Sequence, residues 1–113
     1  MSRGSRLYLE DIVASAQAIR GYIAGATRAT LDDDTRTRDA IIRNLEIIGE
    51  AVKRLPVEMT AGHPEVDWAG FSRMRDILIH QYFGVSLNVV WMTVTAELPG
   101  LETAVLKLLE EER

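Results

Sequence analysis

The chain has 113 residues, a formal net charge of −4, 47% apolar residues and no cysteine. That length suits a single domain, residues 1–113, around one core. The charge excludes a protein that coats nucleic acid through bulk positive charge, and the missing thiols exclude both a disulfide framework and a thiolate zinc site.

Only 6% of residues are aromatic, so the core has to be mainly aliphatic. No charged-then-apolar leader opens the sequence, and no apolar run approaches the ~18 residues that span a bilayer. A soluble, cytoplasmic protein with no membrane partner is the expectation.

The first predicted helix covers roughly residues 6–29. Leu9, Ile12, Ala16, Ile19 and Ile23 recur there at helical spacing. Gly21 and Gly25, four apart, suggest close contact with another helix, or else a tolerated cost of ~1 kcal/mol each. Asp32-Asp33-Asp34 could be taken for a calcium loop. Its sixth and twelfth positions are Thr37 and Arg43, where such a loop needs glycine and glutamate, so the run reads as a helix cap.

The second helix is predicted over residues 35–55. Ile41, Leu45, Ile48, Val52 and Leu55 form a heptad-like stripe, and Ile42 and Ile47 fall outside it. Two apolar faces need two neighbours, one of which could be a second copy of the chain. Arg36, Arg38, Arg43, Lys53 and Arg54 make this the most basic segment. Glu46 and Glu50 lack the following histidines of a carboxylate metal pair, and they read as polar-face or inter-helix ion-pair residues.

Pro56 stops the second helix. Residues 57–67 read as irregular, with His63 facing solvent. Asp67 is a predicted cap, and Trp68 and Phe71 are predicted to anchor the loop to the core. The third helix is predicted over residues 71–82, with Gly84 as its C-cap. Ser86 caps a fourth, whose apolar surface comes from Val89, Val90, Met92 and Leu98. Pro99 is expected to break or kink it before a last stretch from Leu101 to Glu111. With no sustained strand alternation, the pattern predicts an all-α, up-down bundle of four to five helices.

The third helix carries Arg75-Asp76-Ile77-Leu78-Ile79-His80-Gln81-Tyr82. An arginine is a fixed-charge fork for phosphate oxygens. A histidine can move protons near neutral pH. Asp76, one turn before His80, could orient the ring, and Tyr82 shares a face with Arg75. Arg75 and His80 point about 140° apart and lie about 7.5 Å apart along the axis. They cannot grip one atom from a straight helix, but they can flank a phosphodiester. The set suits metal-free RNA cleavage by the ribose 2′-hydroxyl. An inter-helix polar cluster with no chemistry is the competing reading of the same residues.

Arg75-x4-His80-x-Tyr82 resembles the motif of HepT-like toxins in the HEPN superfamily. Leu45-Glu46-Ile47-Ile48-Gly49-Glu50-Ala51, Trp68, Val90-Trp91 and Leu98-Pro99 fall in that family's order and spacing. The likeness covers residues 7–109. It implies a HEPN bundle that dimerises through its helices, with two motifs lining one cleft. It also implies a metal-independent endoribonuclease with Arg75 and His80 as catalytic residues and Asp76 in support. The implied partners are an RNA substrate and an MntA-like minimal nucleotidyltransferase antitoxin of a type VII toxin–antitoxin system, with higher assembly open. That transferase would use ATP to AMPylate Tyr82, and the chain itself would need no cofactor or metal. Asp76 stands where asparagine is common, and a carboxylate opposes an RNA phosphate more than an amide does.

A second class of function fits as well: a non-catalytic helical subunit that partners a nucleotidyltransferase. A structural dimer with no chemistry is the third.

Overall fold

In the computed structural model, which describes residues 1–80 and 86–111, six helices follow one another with no strand among the described residues. Four are long and two are short, so the four or five helices expected become six. Helix α1 (Arg3–Ile23) opens at Ser2, whose Oγ accepts the Ser5 N–H at 3.0 Å. It buries Leu9, Ile12, Ala16 and Ile19 on one face. It ends earlier than the periodicity predicts. Gly25 takes a φ of 75°, a left-handed turn that glycine adopts without steric cost. A separate short helix, α2 (Arg28–Asp33), follows. The close contact expected at Gly21 and Gly25 is not there, since a Cβ at either would meet nothing within 4 Å.

Asp34 caps α3 (Thr35–Lys53), as the aspartate run predicts. Its carboxylate accepts from the Thr37 N–H at 3.1 Å and the Thr37 hydroxyl at 2.8 Å. These bonds, the backbone one foremost, hold the Asp34 pKa below its usual 3.8. The stripe from Ile41 to Leu55 is buried throughout, and Ile42 is buried with it. Ile47 is half-buried. Within the chain, α3 packs against α1 and α5, with a smaller contact to α2. Of the basic residues of this segment, Arg36, Arg43, Lys53 and Arg54 are exposed, and three of the five make polar contacts. Arg38 donates to the Leu31 carbonyl, Arg43 pairs with Glu46, and Arg54 pairs with Glu50.

Residues 57–67 are less irregular than expected, because a one-turn helix, α4 (Val57–Ala61), follows Pro56. His63 is tucked in rather than facing solvent, its side chain 13% exposed and its Nδ1 3.4 Å from Glu65. The carbonyl of His63 accepts the Trp68 Nε1–H at 2.9 Å, which ties the loop to the start of α5 (Trp68–His80). Asp67 caps α5 by accepting the Gly70 N–H at 3.0 Å.

The sixth helix, α6 (Leu87–Glu111), is capped by Ser86 and runs past Pro99 without a break. Residues Thr93–Glu97 form a wider π turn, in which the Leu98 N–H reaches back five residues to the Thr93 carbonyl. Pro99 has no N–H to give Thr95, and the helix does not break there; the wider register lies just before it. The continuous helix is long and apolar enough to cross a membrane by length and composition, where no such run was expected. Its apolar stripe is nonetheless used inside the bundle: Val90, Val94, Leu98, Leu101, Val105 and Leu108 are all buried in one core with α1, α3 and α5. Val89 and Met92, expected to add to that surface, are instead exposed. An ion pair from Arg20 to the buried Glu102, at 2.9 Å, joins α1 to α6.

Candidate active site at the α3–α5 crossing

Helix α5 buries Phe71, Met74 and Leu78, spaced three and four apart. That stripe turns Arg75 sideways, towards α3. Gly49 is the reason the two helices meet so closely there. A Cβ on Gly49 would collide with the Arg75 Cβ and lie 2.7 Å from the Phe71 carbonyl oxygen. No larger residue fits without moving backbone. The aliphatic stem of Arg75 therefore lies against the backbone of α3.

The guanidinium continues past the crossing and meets two carboxylates. Nη2 lies 3.3 Å from Glu50 Oε2, and Nη1 donates to Asp76 Oδ1 at 3.1 Å. Arg75 Nε is buried and has no hydrogen-bond partner among the described residues. The Arg75 side chain is 24% exposed, and it opens onto a cleft of about 200 Å³ between α1, α3 and α5. Tyr8, Ile47 and Ile79 give this cleft apolar walls, and Asp11, Arg43, Glu46 and Glu50 give it charge.

His80 is the last residue of α5 and is exposed. It stands in a different environment from Arg75, as the five-residue spacing requires. Asp76 was expected to orient the His80 ring. Its carboxylate is turned to Arg75 instead, and no hydrogen bond joins it to His80 among the described residues. Tyr82 and the expected Gly84 cap lie outside the described residues. Among the described residues, no group of three metal-binding side chains is assembled.

Chemically, the arrangement offers a fixed cation at a cleft mouth and an accessible imidazole one and a half turns further on. The cation can neutralise a phosphate, and the imidazole can move a proton. The residues that the motif left unmentioned are Gly49 and Glu50. Glu50 was expected to be a polar-face or inter-helix ion-pair residue, and its pairing with Arg75 bears that out, but only the helix crossing reveals that it and Gly49 seat the arginine.

These features define an all-α bundle with an arginine and a histidine displayed on one helix. The chain belongs to the HepT-like ribonuclease family: the model for that family, described as "Ribonuclease HepT-like", matches residues 12–108. A HEPN bundle is the architecture this membership implies. The chain is 42% identical over 102 residues to a probable ribonuclease HepT of Thermococcus cleftensis, covering 90% of this chain and 93% of that one. It is 40% identical over 108 residues to a protein of Caldanaerobacter subterraneus subsp. tengcongensis named as a candidate RNase, covering 96% of each. It is also 39% identical over 111 residues to a Methanocaldococcus jannaschii protein named for both a gamma-glutamylcyclotransferase and a candidate RNase. That match covers 98% of this chain, which spans half the length of the relative. No solved structure matches with significance.

Proposed function

We propose that the protein is a metal-independent endoribonuclease acting as the toxin of a type VII toxin–antitoxin system in the cytoplasm. The observation that carries this reading is the pairing of a seated Arg75 with an exposed His80 on one helix of a HepT-like ribonuclease. Arg75 binds the scissile phosphate and offsets the charge that builds on its oxygens. The ribose 2′-oxygen attacks phosphorus as its proton leaves. The bond from phosphorus to the 5′-oxygen breaks, and that oxygen takes up a proton. His80 serves this proton traffic.

A straight α5 cannot aim both groups at one atom, so the working site is proposed to form between two copies of the chain. Each copy would supply one motif to a shared groove. Control is proposed to come from an MntA-like nucleotidyltransferase that uses ATP to place AMP on Tyr82. The added phosphate charge would occupy the place of RNA.

The test is cleavage of single-stranded RNA by the purified chain in the presence of a metal chelator. Activity that is lost in His80→Ala, with an unchanged thermal midpoint, supports the assignment. A His80→Ala protein as active as the parent rejects it. Intact-mass measurement after co-expression with the transferase tests Tyr82, and an unmodified chain counts against AMP-based control. A non-catalytic partner subunit is favoured by one observation, the exposure of Ile77, Ile79, Val89 and Met92. A stable complex with a nucleotidyltransferase and no cleavage of any RNA would select it.

A further inference from the structure

Arg75 is held from two helices, and the two holders are not equivalent. Asp76 is its neighbour on α5 and moves with it. Glu50 belongs to α3 and stands one residue past Gly49, where the helices touch. Its two oxygens are divided between two arginines: Oε2 faces Arg75 at 3.3 Å, and Oε1 accepts from Arg54 Nε at 3.0 Å. Arg54, the C-cap residue of α3, lies one turn further along and so fixes the carboxylate that fixes Arg75.

This chain of charges sits at the cleft mouth rather than in the core, with the Glu50 side chain 36% exposed. Ion pairs so open to water add little to folding stability. Their effect is on direction. A long arginine with its head untethered samples many rotamers, and each must be given up when a phosphate is bound. One tether on the same helix cannot set where the guanidinium lies relative to α3. A second tether from α3 can.

We propose that Glu50 is a positioning residue for Arg75. It holds the guanidinium at the mouth of the α1–α3–α5 cleft, facing the path of an incoming RNA phosphate, and Arg54 steadies it there. The proposal rests on the ribonuclease reading for its consequence, but the anchoring itself is measurable without it. Glu50 also carries a negative charge beside the place of the phosphate. Removing that charge therefore weakens repulsion of RNA while loosening the arginine. The two kinetic constants then respond differently: kcat falls, and KM for RNA stays level or falls.

The experiment compares the full chain with Glu50→Gln and Arg54→Ala on a mixed-sequence single-stranded RNA oligonucleotide. Alongside, the rate at which phenylglyoxal modifies Arg75 is followed by peptide mass spectrometry. Glu50→Gln is expected to lose about tenfold or more in kcat without a rise in KM, keep its thermal midpoint, and modify faster at Arg75. Arg54→Ala shifts Arg75 reactivity in the same direction by less. Unchanged reactivity at Arg75 in Glu50→Gln overturns the anchoring. So does a fall in kcat that merely tracks a lowered thermal midpoint. Faster modification in a protein whose parent cleaves no RNA upholds the anchoring and overturns the ribonuclease reading alone.

Discussion

The two ends of α5 are built for different purposes. From Phe71 to Leu78 the helix is packed, crossing α3 so closely that only glycine fits at position 49. At His80 it emerges into solvent. Arg75 stands between, its stem in the packed part and its head in the cleft. The difference teaches how a small helical protein can display two polar groups on one helix in unlike settings: one is fixed by packing and ion pairs, and the other stands in solvent.

Substitutions can test that division. At the open end, His80→Ala should lower RNA cleavage by ~10²–10⁴-fold, the usual contribution of a proton-transfer group. Its folding stability should stay within about 0.5 kcal/mol of the parent, as for other exposed positions. Cleavage assays paired with chemical denaturation read both, and a large loss of stability would mean that the end is not open. In the packed part, Leu78 is 1% exposed, so Leu78→Ala should cost ~2–5 kcal/mol by leaving a cavity. Denaturant midpoints measure this, and activity per folded molecule should change far less than in His80→Ala.

Gly49→Ala probes the boundary between the two. The added Cβ must push the Arg75 Cβ and the Phe71 carbonyl, an overpacking cost of ~1–3 kcal/mol. Because the shift carries Arg75 with it, activity should fall along with the thermal midpoint. A fall in stability with full activity would separate the crossing from the site.

The smallest effect belongs to a control far from α5. The hydrogen bonds from Thr37 lower the Asp34 pKa in the folded chain, so the unfolded chain binds a proton more readily. The stabilisation is therefore complete above the ordinary value and fades as pH falls through the folded one. Asp34→Ala should melt below the parent at neutral pH, and the gap should close in strong acid. A gap that persists in acid would assign the effect to something other than the ionised cap.

Much of this architecture was legible in the residues. The stripe Ile41, Leu45, Ile48, Val52 and Leu55, the caps Asp34, Asp67 and Ser86, and the stop at Pro56 depend on local chemistry that a linear reading can follow. The glycines show where such a reading stops. Gly21 and Gly25 have the spacing of a contact pair but leave open space where a Cβ would sit, while Gly49, one residue in a longer apolar run, carries the crossing. Spacing describes a helix face, but only a neighbour's backbone can make that face a contact. Pro99 misled as a break, since the helix runs past it with a π turn just upstream.

The candidate site divides in the same way. Arg75, Asp76 and His80 stood out by their chemistry and order, which left an inert polar cluster equally open, and the parts given to them and to Tyr82 came with the HepT-like resemblance. The partner of Asp76 was not foreseen, since Arg75 is a neighbour in both sequence and space and a charged one, and it captured the carboxylate that His80 was expected to hold.

By itself, the sequence determined the helical class, the register of the buried stripes of α1 and α3 and the chemical groups at hand, because these follow from side-chain polarity and backbone preference over a few residues. The tertiary structure decided which carboxylate grips Arg75, how α3 and α5 approach at Gly49, and that His80 faces water. Those outcomes depend on how two helices cross, and a crossing is fixed by the packing of residues far apart in the chain.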